Sequence, residues 1–163
     1  MSVIVVATDG SAAATAALDE AIEIARCTGD QLAAITVWRA LQGDFGLAYP
    51  STAMLDELLD AERNHAEVTL SEAVARARAA GVVIETRLAT GDPAEQICNF
   101  ADELDARMIS MGTHGYSAVV SLLVGSVSGA VLRRAPCPVL IVGEGNHHRK
   151  RSDRPPTTRH ATI

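Results

Sequence analysis

Val3-Ile4-Val5-Val6-Ala7-Thr8-Asp9-Gly10-Ser11 decides how the rest of the chain is read. Its first five residues are a continuous apolar run rich in β-branched side chains. That is the pattern of a strand buried on both faces, as in a parallel sheet covered by helices. Thr8 to Ser11 break the run. From Ser11 onward, apolar positions return at helical spacing (Ala14, Leu18, Ala21, Ile22, Ala25) until Gly29, which is placed to close a helix in the left-handed conformation. A buried strand, a polar turn carrying an Asp, then an amphipathic helix is the opening unit of an α/β protein.

The same unit recurs outward from this stretch. Leu32-Ala33-Ala34-Ile35-Thr36-Val37 predicts a second buried strand, and residues 38–50, with Gly43, Gly46 and Pro50, a loop. Ser51 can cap a long helix reaching about Ala80, with Leu55, Leu58, Leu59, Ala66, Leu70, Val74 and Ala77 on one face and Gly81 after its end. Val82 to Leu88 predicts a third strand, whose alternation suits a sheet edge. In Gly91-Asp92-Pro93-Ala94-Glu95 the Asp caps a helix, the Pro takes its first turn and the Glu completes a capping box; this helix reaches about Leu104. Arg107 to Met111 is a fourth strand, Gly112 to Gly125 a glycine-marked loop, Ser126 to about Arg134 a short helix, and Val139-Leu140-Ile141-Val142 a fifth strand. Helical crossovers between successive strands imply parallel strands with helices on both faces.

Composition narrows what such a protein can be. Of 163 residues, 48% are hydrophobic and only 3% aromatic, so the core must be built from Val, Ile, Leu, Met and Ala. Residues 1–146, read as one domain, hold nine Arg against nineteen Asp and Glu, a net charge of −10 that argues against a nucleic-acid-binding surface. Residues 147–163 carry a net +4 with Pro155-Pro156, and read as a basic, solvated and disordered tail. No apolar run is long enough to span a bilayer, and the apolar start lacks the basic flank of a signal peptide, so a cytoplasmic protein is the expectation. The sole lysine is Lys150, in the tail; a P-loop of the G-x-x-x-x-G-K-[ST] type and a Schiff-base lysine in the body are both excluded. Cys27, Cys98 and Cys137 form no CxxC pair and read as reduced, mostly buried thiols.

An open parallel sheet takes its ligand beyond the carboxyl ends of its strands. Two of those ends are chemically distinctive: Ala7-Thr8-Asp9-Gly10-Ser11 and Met111-Gly112-Thr113-His114-Gly115. Gly112 and Gly115 would let the main chain approach an anion and adopt positive φ. Gly125-Ser126 opens a helix whose first-turn amides, with the hydroxyls of Ser126 and Ser128, can donate to phosphate oxygens. Asp9 is suited to accept from a ribose hydroxyl or an adenine amino group.

At these residues the sequence resembles the universal stress protein family. The family's pattern of Gly, two residues, Gly, nine residues, Gly, then Ser or Thr is met by Gly112, Gly115, Gly125 and Ser126. Val5 to Ser11 is similar to the family's opening strand, and Ala135-Pro136-Cys137-Pro138-Val139-Leu140-Ile141-Val142 to its closing one. The resemblance implies a Rossmann-like, adenine nucleotide alpha hydrolase-like fold with strand order 3-2-1-4-5. It implies ATP as ligand, with Mg. Ala7, Thr8, Asp9 and Val37 would meet adenine and ribose. Met111, Gly112, His114, Gly115, Gly125, Ser126, Val127 and Ser128 would line the ribose and phosphates. His114 stands where some ATP-binding members carry Arg. The resemblance also implies a homodimer through Val139, Leu140, Ile141 and Val142, covering an exposed edge.

No G-x-S-x-G elbow supports a serine hydrolase. His65, flanked by Glu62 and Glu67, reads as a solvated helix face; Trp38 can roof the crevice or merely cover the sheet. The functional expectation is an ATP-binding regulatory protein of the stress response acting on a protein partner. The alternatives are a slow ATP hydrolase using Asp9 or His114, and an interaction scaffold that binds another adenine nucleotide, such as cyclic AMP, or none.

Overall fold

A computed structural model of the chain describes residues 1–38, 51–113 and 125–143. Element order is β1 (Val3–Ala7), α1 (Ala12–Thr28), β2 (Gln31–Trp38), α2 (Thr52–Ala79), β3 (Ile84–Thr90), α3 (Pro93–Glu103), β4 (Met108–Gly112), α4 (Ser126–Arg134) and β5 (Val139–Val142). The strands form one five-stranded sheet in the order β3-β2-β1-β4-β5, and every pairing is parallel. The expected architecture and strand order are both met.

The apolar runs explain the layering. Along β1, side chains alternate between the two faces. Ile4 and Val6 pack with Leu18, Ile22, Leu70 and Ala77 of α1 and α2. Val5 and Ala7 pack with Ile97, Phe100, Ala101 and Val131 of α3 and α4. Each fully buried Val, Leu or Ile contributes roughly 1.5–3 kcal/mol relative to exposure, so a strand without polar positions is what a two-sided core requires. β3, at one edge, does not keep the expected alternation: Ile84, Arg87, Leu88 and Ala89 are half-buried and Glu85, Thr86 and Thr90 exposed.

Local signals set the helix ends. The Ser11 hydroxyl accepts from the Ala14 amide at 3.2 Å, and Gly29, at φ 74°, donates its N–H to the Ala25 carbonyl. Asp92 accepts from the Glu95 amide at 2.9 Å with Pro93 at the first turn.

Several strand boundaries differ from the sequence reading: β2 is one residue longer at each end, at Gln31 and Trp38, and β3 ends at Thr90 rather than Leu88. β3 starts at Ile84 rather than Val82, because Val82 is buried and its amide donates to the Ala77 carbonyl at 2.9 Å, which makes it part of the exit from α2. β4 runs Met108–Gly112, one residue later than expected. The long helix is also covered over less of its length: its buried residues are Ala66, Thr69, Leu70, Ala73 and Ala77, whereas Leu58 is exposed and Leu55 and Leu59 are half-buried. The 28 residues of α2 span about 42 Å at ~1.5 Å per residue, whereas the eight residues of β2 cover about 26 Å at ~3.3 Å each. The first half of α2 therefore projects past the sheet at the strands' carboxyl ends. Among the described residues, no helix is long and apolar enough to cross a membrane.

Candidate functional site

Strand order reverses at β1: its chain continues to β2 on one side, while β4 lies on the other. Crevices of this fold open at that switch point, beyond the carboxyl ends of the strands.

The exit of β1 is held by a set of short bonds. Ala7 lies in register with Ile35 and Met111. The Thr8 amide donates to the Ile35 carbonyl at 3.0 Å, and the buried Thr36 hydroxyl donates to the Thr8 carbonyl at 2.8 Å. The Ser11 amide donates to the Asp9 carboxylate at 3.0 Å, which fixes that side chain at the head of α1. Gly10 has φ 81°, and a Cβ there would stand 3.0 Å from Thr69 Oγ1. That close approach ties the β1 exit to α2 at Thr69.

The exit of β4 is built differently. The Thr113 amide donates to the Val142 carbonyl at 2.9 Å, and the Gly125 amide donates to the Thr113 carbonyl at 2.8 Å. The start of α4 is thereby pinned beside the end of β4, with the positive end of its dipole at the switch point. Ser126 is exposed there, and Val127 and Gly125 are half-buried. Among the described residues, none accepts from the main-chain amides of Ser126, Val127 or Ser128.

Two of the expected roles need correction. Gly112 is not among the positive-φ glycines. A Cβ on it would lie 2.8 Å from the carbonyl carbon and Cβ of Ala13 and from the amide nitrogen of Ala14. The glycine is required because α1 crosses against β4 at that point. The Ser128 hydroxyl is not free to donate to a ligand: the residue is 2% exposed, and its single proton is shared between the carbonyls of Thr113 at 3.0 Å and Gly125 at 3.1 Å. His114 and Gly115 lie outside the described residues, as does the tail.

Of the remaining expected residues, Ala7, Thr8 and Met111 are buried behind the crevice, and Asp9 and Val37 face a cavity of 310 Å³. That cavity also holds Thr36, Trp38, Glu62, His65 and Ala66. The three α2 residues were read from the sequence as part of a polar or core-facing helix, not as a site wall. The signal was present only as spacing: positions 62, 65, 66 and 69 recur at helical intervals, and the contact between Gly10 and Thr69 sets that stripe over the ends of β1 and β2. Trp38, expected either to roof the crevice or to cover the sheet, lines this cavity at the ends of β1 and β2. Among the described residues, no three His, Cys, Asp or Glu side chains gather as a metal site.

The cysteines follow the packing expectation in part. Cys98 is buried, Cys137 half-buried and Cys27 exposed on α1. Burial raises the thiol pKa of Cys98 and of Cys137, which keeps both in the unreactive protonated form.

The fold defines a doubly wound α/β protein whose strand order reverses between β1 and β4. The chain belongs to the universal stress protein family, whose sequence model matches residues 1–143. It is 33% identical over 141 residues to Universal stress protein YxiE of Bacillus subtilis, covering 84% of this chain and 95% of that one. A universal stress protein solved in complex with cAMP is 33% identical, with a TM-score of 0.64 over 86% of this chain and 96% of that one. The universal stress protein from Archaeoglobus fulgidus in complex with dAMP is 30% identical, with a TM-score of 0.63 over 87% of this chain and 97% of that one.

Proposed function

We propose that the chain is a regulatory adenine-nucleotide-binding protein of the stress response, with ATP and Mg as its working ligand. The observation that carries this reading is the pairing of chemistries at the switch point. On one side stand Asp9 and Val37 at a cavity; on the other, the first turn of α4 is held against the β4 exit by the Thr113 carbonyl. A carboxylate accepts from sugar hydroxyls or a base amine; main-chain amides at a helix N-terminus hold phosphate without lysine. The relatives solved with cAMP and dAMP support the adenine nucleotide class.

With the Ser128 hydroxyl engaged and Gly112 packed against α1, phosphate binding falls to the amides of residues 126–128 and the Ser126 hydroxyl, together with His114 and Gly115 as the family pattern implies. A divalent ion would be carried on the phosphates, because the described side chains do not form a metal site of their own. Regulation would act through a homodimer joined along β5, where Val139, Leu140 and Ile141 are half-buried on the sheet edge, and through a protein partner that reads the occupied state.

Calorimetric titration of the purified chain with ATP, AMP and cyclic AMP, each with and without Mg, tests the reading. Saturable binding of at least one of them in the micromolar range is expected. Heats indistinguishable from dilution up to millimolar nucleotide for all three would overturn it.

A further inference from the structure

The cavity at the ends of β1 and β2 has one wall that the family pattern does not supply. Glu62, His65 and Ala66 reach it from α2, facing Thr36, Val37 and Trp38 of β2 and Asp9 of β1. Their position is fixed rather than incidental. Thr69 meets Gly10 at the β1 exit, Leu70 and Ala73 are buried under the sheet, and residues 65–66 and 62 therefore follow one and two turns further along, past the strand ends.

The chemistry of this wall selects which part of a nucleotide can enter. Two carboxylates, Asp9 and Glu62, line the cavity, and among its described lining residues there is no Lys or Arg. Phosphate would be repelled there; neutral hydrogen-bond donors would be attracted. Val37 and the Trp38 indole add apolar and flat surface suited to a base, since aromatic rings stack on purines of any identity. The volume, 310 Å³, lies at the lower end of the range of about 300–1,000 Å³ found for ligand clefts. That suits a nucleoside better than a complete nucleoside triphosphate.

We infer that α2 is a specificity element of the site: Glu62 and His65 contact the nucleoside moiety of the bound nucleotide, opposite Trp38, and contribute to affinity independently of the phosphates. This rests on the adenine-nucleotide reading above and adds a second wall to it. The phosphates lie on the α4 side, and the uncharged end of the ligand sits in the open groove between β2 and α2.

The test compares adenosine with AMP on the full chain. Both are titrated into wild type, Glu62→Gln and His65→Ala by calorimetry, with emission of Trp38, the one tryptophan in the sequence, followed in parallel. Adenosine is expected to bind wild type and to change Trp38 emission. Glu62→Gln is expected to weaken adenosine and AMP by the same factor, roughly tenfold, the size of one hydrogen bond to a charged group. His65→Ala should also weaken both ligands equally. Glu62→Gln should melt with wild type in the absence of ligand, which a merely structural role would not allow. Unchanged affinities in both variants, or adenosine binding silent at Trp38, would overturn the inference while leaving adenine-nucleotide binding intact. Tighter AMP binding by Glu62→Gln, with adenosine unmoved, would also overturn it by putting phosphate in the cavity. Failure of wild type to bind either ligand would remove the underlying functional reading itself.

Discussion

Replacing Gly112 with Ala separates two reasons for a glycine at the end of β4. If the residue is glycine only so that phosphate can approach the backbone, the ligand-free protein should tolerate Ala. The geometry says otherwise. The new Cβ would stand 2.8 Å from Ala13 C, Ala13 Cβ and Ala14 N, against about 3.5–4.0 Å for carbon atoms in contact. Two of these three atoms are backbone, so no rotamer change relieves the overlap; the first turn of α1 must move away from β4 by several tenths of an ångström or more. Overpacking of this kind costs about 1–3 kcal/mol. Because Gly112 has no left-handed backbone to lose, the substitution also gains about 0.4–1 kcal/mol by restricting the unfolded chain. The net expectation is a loss of roughly 1–2 kcal/mol, equivalent to a fall of about 2–8 °C in Tm for a domain of this size. Urea denaturation of the ligand-free variant, with unchanged slope and a lower midpoint, is the assay. A variant as stable as wild type without nucleotide would refute the packing argument and return Gly112 to a purely ligand-facing role.

Three further outcomes follow from the same contacts. Ser128→Ala removes the hydroxyl shared by the Thr113 and Gly125 carbonyls; it should lower stability by about 1 kcal/mol and reduce AMP affinity less than Ser126→Ala does, as read by denaturation and calorimetry. Asp30 has its carboxyl pKa lowered by the Thr28 hydroxyl, against the opposing effect of burial, with Arg107 and the Ser2 amide adding to the lowering. Its contribution to stability is therefore full above the unfolded carboxylate pKa of about 3.9 and disappears as pH falls through the lower folded value. Asp30→Asn should accordingly be destabilised at pH 7 and approach wild type as pH falls through the lowered folded-state pKa, and a gap that stays constant with pH would contradict the assignment. Finally, Ile141→Asp on the β5 edge should convert a dimer of twice the chain mass to monomer by light scattering; a wild-type chain already monomeric at micromolar concentration would end the β5 dimer proposal.

The parallel sheet was legible in the sequence because its strands are buried on both faces. Val3 to Ala7 and Leu32 to Val37 could hold no polar pattern and still serve a two-sided core. The caps at Ser11 and Asp92 and the left-handed Gly29 were equally local, since each depends on groups within four residues. The end of α2 was less so: Val82 reads as strand by composition, and only its bond back to Ala77 assigns it to the helix exit.

The site divides along the same line. Sequence by itself singled out the β1 and β4 ends as chemically distinctive, because Asp9 and the Gly112 to Ser126 spacing are contiguous patterns with contiguous causes. Only the tertiary structure decided what stands across from them. Glu62 and His65 lie on the part of α2 that reads as its solvated face, and they join the cavity because Gly10 admits Thr69 and so fixes where α2 crosses the sheet. Gly112 and Ser128 changed meaning for the same reason: a glycine or a hydroxyl has the same local signature whether it serves a ligand or a neighbouring helix, and the distinction lies in atoms brought near by folding from elsewhere in the chain.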